Sequence, residues 1–384
     1  MKKLSILFTL FISVAMFGQN TFTTTINSYE LGGEREIRIY IPPSYELDSA
    51  RVYPLAVILD AEFLFDVYVG NSILFAQKEK APEQIIVGIN QDNKRRYSDC
   101  SYDKLNSLPT KTSDSFYRFV RAELLNYMEE NYRISPFKTV VGNTLTANFV
   151  NYFFIEDDPG FNAFVNINPY FAPDVPYMIE TEVHKVKKNS YYYYLSSGDY
   201  LSSKRSSQNK TVNDQFSSLE NEKFNYHFDD FTGATNISSI GQSMSSAMHF
   251  IFGIYAAISK EEFEKNIKEL SPPDAIAYLE NKYVEIEYQF GSNLKIRERD
   301  IYAIEGLIID KENGEYLRDF GEMIYKLYPE SPLGDYYIGL DYELRGRYRN
   351  ALDAYKEGYM KITGSIEDAD NFYKNVERVS TKMK

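Results

Sequence analysis

Lys138-Thr139-Val140-Val141-Gly142-Asn143-Thr144-Leu145-Thr146-Ala147-Asn148-Phe149 is the stretch that decides the fold. A β-branched run ends at Gly142 and passes through a tight turn straight into an apolar segment, so strand, turn and helix follow one another without a linker. In this layout a Gly-x-Ser-x-Gly motif lifts a serine onto a strained turn, while its glycines let strand and helix approach closely. Here the serine position is Thr144 and the last glycine position is Thr146. A β-branched residue at positive φ is an outlier. The turn is therefore expected either to have relaxed or to be held at a cost.

Working outward, apolar and polar residues alternate from Thr21 to Ser28 and from Arg35 to Ile41, with Leu31-Gly32-Gly33 between them, as in two strands joined by a turn. Tyr53 to Asp60 and Gln84 to Asn90 are continuous apolar runs of the kind found in strands buried on both faces, hence in a parallel sheet covered by helices. Ser113 to Tyr132 has helical spacing, with Ser113 as its expected cap. Beyond the central stretch, Phe161 to Pro169, Tyr191 to Ser196 and Lys223 to Asp229 continue the strands, and a helix is expected from about Ser243 to Ile258. This alternation predicts an α/β domain over residues 19–259.

From Lys260 onward the strand signal is gone. Pro272-Pro273, Gly291-Ser292-Asn293, Asn313-Gly314 and Pro332 punctuate helices that pair. Gly339, Tyr342, Gly346, Tyr348, Ala351 and Tyr355 stand at the spacing of a tetratricopeptide repeat, in which small residues permit close helix contact and aromatic residues fill the gaps. Residues 260–384 are expected to form an all-α helix-pair, tetratricopeptide-like module. Its groove is expected to hold an envelope protein partner, with Tyr342, Tyr348 and Tyr355 serving as packing residues.

Residues 1–18 read as a secretory signal: Lys2 and Lys3, an apolar run from Leu4 to Phe17, and small Gly18 as the expected cleavage point. That implies export to the periplasm or the cell surface. Cys100, the sole cysteine of 384 residues, excludes an intramolecular disulfide, and no cysteine near Gly18 could carry a lipid. No later apolar stretch is long enough to span a membrane. The formal charge is −13, and removing Lys2 and Lys3 makes it two units more negative. Such a surface repels phosphate backbones and anionic lipid, which disfavours nucleic-acid and membrane-surface partners.

Arg38-Ile39-Tyr40-Ile41-Pro42-Pro43-Ser44-Tyr45, Tyr53-Pro54 leading to Leu59-Asp60, Ile86-Val87-Gly88-Ile89-Asn90, and Asn131-Tyr132-Arg133 leading to Val141-Gly142 resemble the esterase family of α/β-hydrolases that includes the ferric enterobactin esterases and esterase D-type enzymes. The likeness runs from about Glu34 to Ile258, and the tail is similar to the repeat extension of some bacterial members. The resemblance implies an α/β-hydrolase doubly wound sheet with the nucleophile at Thr144. It also implies a histidine at the position of Asn236, an acid at Asp199, and oxyanion amides at Leu145 and Ala61.

The chemistry of that set is altered. An asparagine amide cannot take and return a proton near neutral pH, so Asn236 supplies no general base. Of the three histidines, His184, His227 and His249, only His227 lies near that position in sequence, and each reads more simply as a surface or core imidazole. Asp157-Asp158 and Asp229-Asp230 read as solvated turns. No metal-ligand spacing, phosphate loop or dinucleotide fingerprint is present, so neither metal nor cofactor is expected. The reading is a catalytically degenerate esterase-like protein acting as a binding or scaffold component of the cell envelope. Its rivals are a weak carboxylic-ester hydrolase using Thr144 and a siderophore-like small-molecule binder.

Overall fold

The computed structural model describes residues 20–198, 203–292, 294–309, 314–362 and 366–384. The proposed signal and Asp199 lie outside them. Eight strands form one sheet in the order β1-β2-β4-β3-β5-β6-β7-β8, where β1 is Thr21–Ser28, β2 Gly33–Tyr40, β3 Tyr53–Ile58, β4 Ile85–Ile89, β5 Ile134–Asn143, β6 Ala163–Ile167, β7 Tyr191–Gly198 and β8 Phe224–Phe231. β1 pairs antiparallel with β2, and β2 with β4; every pairing from β4 to β8 is parallel. The parallel strands are the continuous apolar runs, and their residues divide by parity between two cores.

One face carries Val140, Tyr193 and Leu195 against Phe149, Phe153, Ile179 and Phe216. These come from α5 (Leu145–Phe154), α6 (Val175–Val183) and α7 (Ser203–Ser217). On the same face lies a helix that runs as α3 (Lys111–Arg118), a π-helical stretch Phe119–Leu124, and α4 (Leu125–Asn131). Its cap is Thr110, whose hydroxyl accepts the amide of Ser113, so Ser113 sits inside the first turn rather than capping it. The other face carries Ile58, Val141 and Tyr194 against α1 (Ala61–Gln77) and α8 (Asn236–Ile251).

Two elements depart from the sequence expectation. β8 continues to Phe231, and α8 begins at Asn236, seven residues before the expected start, with the Thr235 hydroxyl accepting the Ser238 amide at 3.1 Å. The stretch between Asp229 and Ser243 is therefore mostly strand end and helix start. The short helix α2 (Asn93–Cys100) was not anticipated either, because its composition has no apolar period.

After α9 (Lys260–Glu262) the chain is helical: α10 (Pro272–Phe290), α11 (Glu298–Ile309), α12 (Leu317–Leu327), α13 (Pro332–Leu344), α14 (Tyr348–Lys361) and α15 (Ile366–Lys382). α10 belongs to both parts. Its Ile286 and Phe290 sit in the core beneath the sheet, where Phe290 meets Phe137 at 5.1 Å between ring centroids, while Leu279 and Tyr283 pack among the helices. Among the described residues no helix is long and apolar enough to cross a membrane. Successive helices in the tail touch through glycines: a Cβ on Gly339 would lie 2.6 Å from the buried Tyr355 ring, and one on Gly358 would strike Phe372. Tyr355 is fully buried, and Tyr342 and Tyr348 pack beside it.

α13 buries three carboxylates, each held by a cation from another helix. Asp335 pairs with Lys361 at 2.7 Å, Asp341 with Arg318 at 2.9 Å, and Glu343 with Arg378 at 2.7 Å and Lys382 at 2.9 Å. The hydrogen bonds from Arg378, then those of Lys382 and Tyr355, bring Glu343 down to about 2 against burial. A depressed carboxylate stabilises the fold above its unfolded value of 4.5, and that contribution is lost as pH falls towards 2. Glu343→Gln should therefore cost about 1–2 kcal/mol at neutral pH, discounted for the half-exposed cations, with the deficit narrowing by about pH 3 and closing near pH 2. Urea titrations at the two pH values measure it; an equal deficit at both would count against the ion pair.

Candidate active site at the ends of β3 and β5

The turn after β5 has not relaxed. Thr144 adopts φ 55° and ψ −103°, a left-handed backbone that β-branched residues avoid. Hydrogen bonds pin it on both sides: its amide donates to the Ile167 carbonyl at 2.9 Å, and its carbonyl accepts the Tyr170 amide at 3.0 Å. The strained, half-buried turn of a nucleophile elbow is thus retained with threonine in the serine's place.

Thr146 does not crowd the strand-helix contact as its position in the motif suggests. Its hydroxyl accepts the Asn143 amide at 2.8 Å and donates to Asp60 Oδ2 at 2.6 Å. The hydroxyl thereby bridges the end of β5 to the end of β3. Asp60 itself is fully buried and left-handed, at φ 53°.

Its partner is Arg96, a residue the sequence reading did not single out. Arg96 Nε lies 2.6 Å from Asp60 Oδ1; Nη2 lies 3.2 Å from Oδ2, 2.8 Å from the Asn143 carbonyl and 2.6 Å from Thr144 Oγ1. One guanidinium therefore holds the carboxylate after β3, the last carbonyl of β5 and the hydroxyl at the nucleophile position. α2 aims it: Asp92 caps that helix by accepting the amides of Lys94 and Arg95 at 3.0 and 2.9 Å. Buried Gln91 takes the Asp60 amide at 3.2 Å and donates to Asp99 at 2.9 Å, and Asp99 in turn receives both arms of buried Arg35. Burial raises the Asp60 carboxyl above its ordinary value although Arg96 and Thr146 oppose the shift. The same burial, with Asp60 and Asp99 close by, pushes the Cys100 thiol up, so that cysteine stays protonated.

The remaining predicted positions divide. Leu145 and Ala61 are the first residues of α5 and α1, where an amide has no acceptor within its own helix. The Asp60 to Thr146 hydrogen bond brings those two helix starts together. Asn236 opens α8, whose first turn is tied to the strand ends by Asn168: Nδ2 donates to Ser239 Oγ at 2.9 Å, and Oδ1 accepts the Gly198 amide at 2.7 Å. The strand leading to the expected acid thus ends at the site, while Asp199 itself is outside the described residues.

His227 is remote. Parallel pairing sets it level with Tyr194, Tyr194 with Val165, and Val165 with Val141. It therefore lies three strands across and three residues below Thr144, about 14 Å sideways and about 10 Å down. Its ring stacks on Tyr194 and Phe250, and Nε2 meets Asp229 at 3.2 Å. Burial pushes Asp229 up, but the hydrogen bonds of His227, Ser246 and Tyr194 outweigh it and leave the carboxyl at about 2. His184 is exposed at the end of α6, and His249 is exposed on α8 rather than in its apolar face. Of the paired aspartates, Asp158 binds Arg121 and Asp230 binds Lys210. Among the described residues no group of three or more His, Cys, Asp or Glu side chains could hold a metal ion.

Residues 28–161 match the family model described as "Putative esterase". That segment, from the end of β1 to the loop before β6, is similar to the esterase family. An uncharacterised protein from Capnocytophaga ochracea superposes with a TM-score of 0.83 at 24% identity, covering 94% of this chain and 99% of that one, so the likeness runs through the helical region as well. An IroE-like serine hydrolase from Shewanella oneidensis matches with a TM-score of 0.59 at 18% identity, covering 80% of this chain and 98% of its own. The siderophore hydrolase EstA from Aspergillus nidulans matches with a TM-score of 0.52 at 12% identity, over 62% of this chain and 96% of its own. At these identities the likeness is one of fold. No curated protein matches the chain.

Proposed function

We propose that this esterase-like protein is catalytically silent and works by binding, as an exported component of the cell envelope whose helical, tetratricopeptide-like region takes a protein partner. The observation that carries the reading is the hydrogen bond of Arg96 to Thr144 Oγ1 at 2.6 Å. Acyl transfer needs a base that takes the hydroxyl proton as the oxygen attacks. Thr144 instead offers a lone pair to a guanidinium, a group that does not accept protons in proteins. The base position holds Asn236, and the nearest histidine by sequence is three strands away. In subtilisin, loss of the base alone costs about 10⁶-fold in turnover.

The expected result is no hydrolysis of short-chain nitrophenyl esters above the buffer rate and no labelling of Thr144 by a fluorophosphonate. Saturable hydrolysis that Thr144→Ala abolishes would overturn the reading. It would promote the second one, a slow threonine esterase, which the retained strain at Thr144 favours. A small acyl or siderophore-like ligand retained through purification would redirect the binding role from protein to small molecule. Export is checked by intact mass: the envelope form should lack residues 1–18.

A further inference from the structure

From the surface around Thr144 we infer that this face docks an acidic protein segment that presents apolar side chains. The inference rests on the binding reading above in taking the face for recognition rather than chemistry. Its evidence is separate from the lost catalytic groups.

The face is unusually apolar for exposed surface. Tyr97 is 68% exposed, Leu105 94%, Tyr177 70% and Ile237 77%, and Leu108 and Tyr170 are exposed as well. Named contacts make these one patch around the elbow. The Tyr170 amide binds the Thr144 carbonyl at 3.0 Å, and Tyr170 and Tyr97 both stand close enough to Tyr102 to raise its phenol, after burial. The loop bearing Leu105 and Leu108 is fixed by Ser107, whose hydroxyl donates to Asp174 at 2.9 Å at the start of α6, where Tyr177 projects. Ile237 follows Asn236 in the first turn of α8. The cavities of 740 and 660 Å³ are lined by other residues: one lies between β2 and the second half of α1, the other among the tail helices. A ring of exposed aromatic and aliphatic groups around a fixed turn is the composition of a protein interface, not of a ligand cleft.

Charge names the partner. In a chain of formal charge −13, residues 92–111 carry five cations against three carboxylates. Asp99 is buried against Arg35, Arg96 is held by Asp60, and Asp92 lies 4.0 Å from Arg95, which leaves Lys94, Lys104 and Lys111 against Asp103. Lys94, Arg95 and Lys104 are exposed, and Arg205 from α7 lies over the Tyr170 ring at 4.6 Å. A cationic rim on an acidic protein favours an acidic partner and steers its approach. Leu105, Leu108 and Ile237 require apolar side chains to cover them, which a polypeptide supplies and a sulfated glycan or nucleic acid does not.

The test is fluorescence anisotropy with a labelled synthetic peptide of alternating glutamate, tyrosine and leucine, using the full chain. Binding should weaken steadily with salt. The triple variant Lys94→Glu, Arg95→Glu, Lys104→Glu should bind at least about tenfold more weakly, and Leu105→Asp at least about threefold. All four positions are exposed, so circular dichroism and thermal unfolding should not change. The inference is overturned if the wild-type protein does not bind the peptide, if the variants bind it equally, or if heparin or polyglutamate without apolar residues binds as tightly. Ester hydrolysis by the unmodified protein would remove the silent-enzyme reading while leaving this surface standing; loss of peptide binding would do the reverse.

Discussion

Replacing Arg96 with methionine should lower stability by about 3–5 kcal/mol at neutral pH, because it leaves the fully buried Asp60 carboxylate without its counter-charge. The guanidinium also satisfies the Asn143 carbonyl and the Thr144 hydroxyl, so three acceptors lose a donor at once. The loss should depend on pH in a definite direction. Burial already holds the Asp60 carboxyl above its ordinary value of 3.8, and removing Arg96 raises it further. Between the unfolded and folded values the native state keeps a proton that the unfolded chain has released, so stability falls as pH rises through that window. The deficit of the variant should therefore be wider near pH 7 than near pH 4. Arg96→Lys should fall between wild type and methionine, since it keeps the charge and loses the fork. Urea titrations at both pH values decide the matter. A deficit under about 1 kcal/mol, or one independent of pH, would mean that Arg96 only lines the surface.

The sequence exposed the sheet and the elbow more fully than the site. Continuous apolar runs such as Tyr53 to Asp60 and Thr139 to Gly142 can be buried only on both faces, which is why the parallel strands were legible. Gly142 and the passage into Leu145 set the turn, and of the two outcomes left open for Thr144, relaxation or strain, the turn takes the strained one. Arg96 was hidden because an arginine in Asp92-Asn93-Lys94-Arg95-Arg96 looks like any solvated helix start; its meaning comes from Asp60, thirty-six residues earlier. Thr146 was misjudged because motif spacing says which residue occupies a position but not what its hydroxyl reaches. His249 turns outward although its neighbours are apolar, since helical period alone does not show which of five consecutive residues faces solvent. The early start of α8 was missed for a similar reason. Thr235 is an ordinary cap, but the serines and asparagine that follow it carry no apolar period.

Gly142→Ala should cost about 3 kcal/mol or more, and Thr146→Gly should not rescue it. A Cβ at Gly142 would lie 2.6 Å from the carbonyl carbon and oxygen of Thr146 and 2.7 Å from the amide nitrogen of Ala147. Those are backbone atoms in the first turn of α5, so no side-chain rotation relieves the contact. β5 cannot retreat either, being paired in register with β3 through Val141 and Ile58 and with β6 through Gly142 and Asn166. The helix must move off the strand, and the turn carrying Thr144 moves with it; overpacking of this kind costs 1–3 kcal/mol or more. If side-chain crowding by Thr146 were the constraint, its removal would restore the fit. Because the clash is with its backbone, Thr146→Gly instead deletes the hydroxyl that joins the Asn143 amide to Asp60, and the double variant should be less stable than Gly142→Ala alone. Gly241→Ala, on the exposed side of α8 with no atom within 4 Å of the new Cβ, serves as the control and should gain about 0.5–1 kcal/mol. Urea titrations of the four proteins measure the series, and a Gly142→Ala variant within about 1 kcal/mol of wild type would mean that the close strand-helix approach at the elbow is not a constraint.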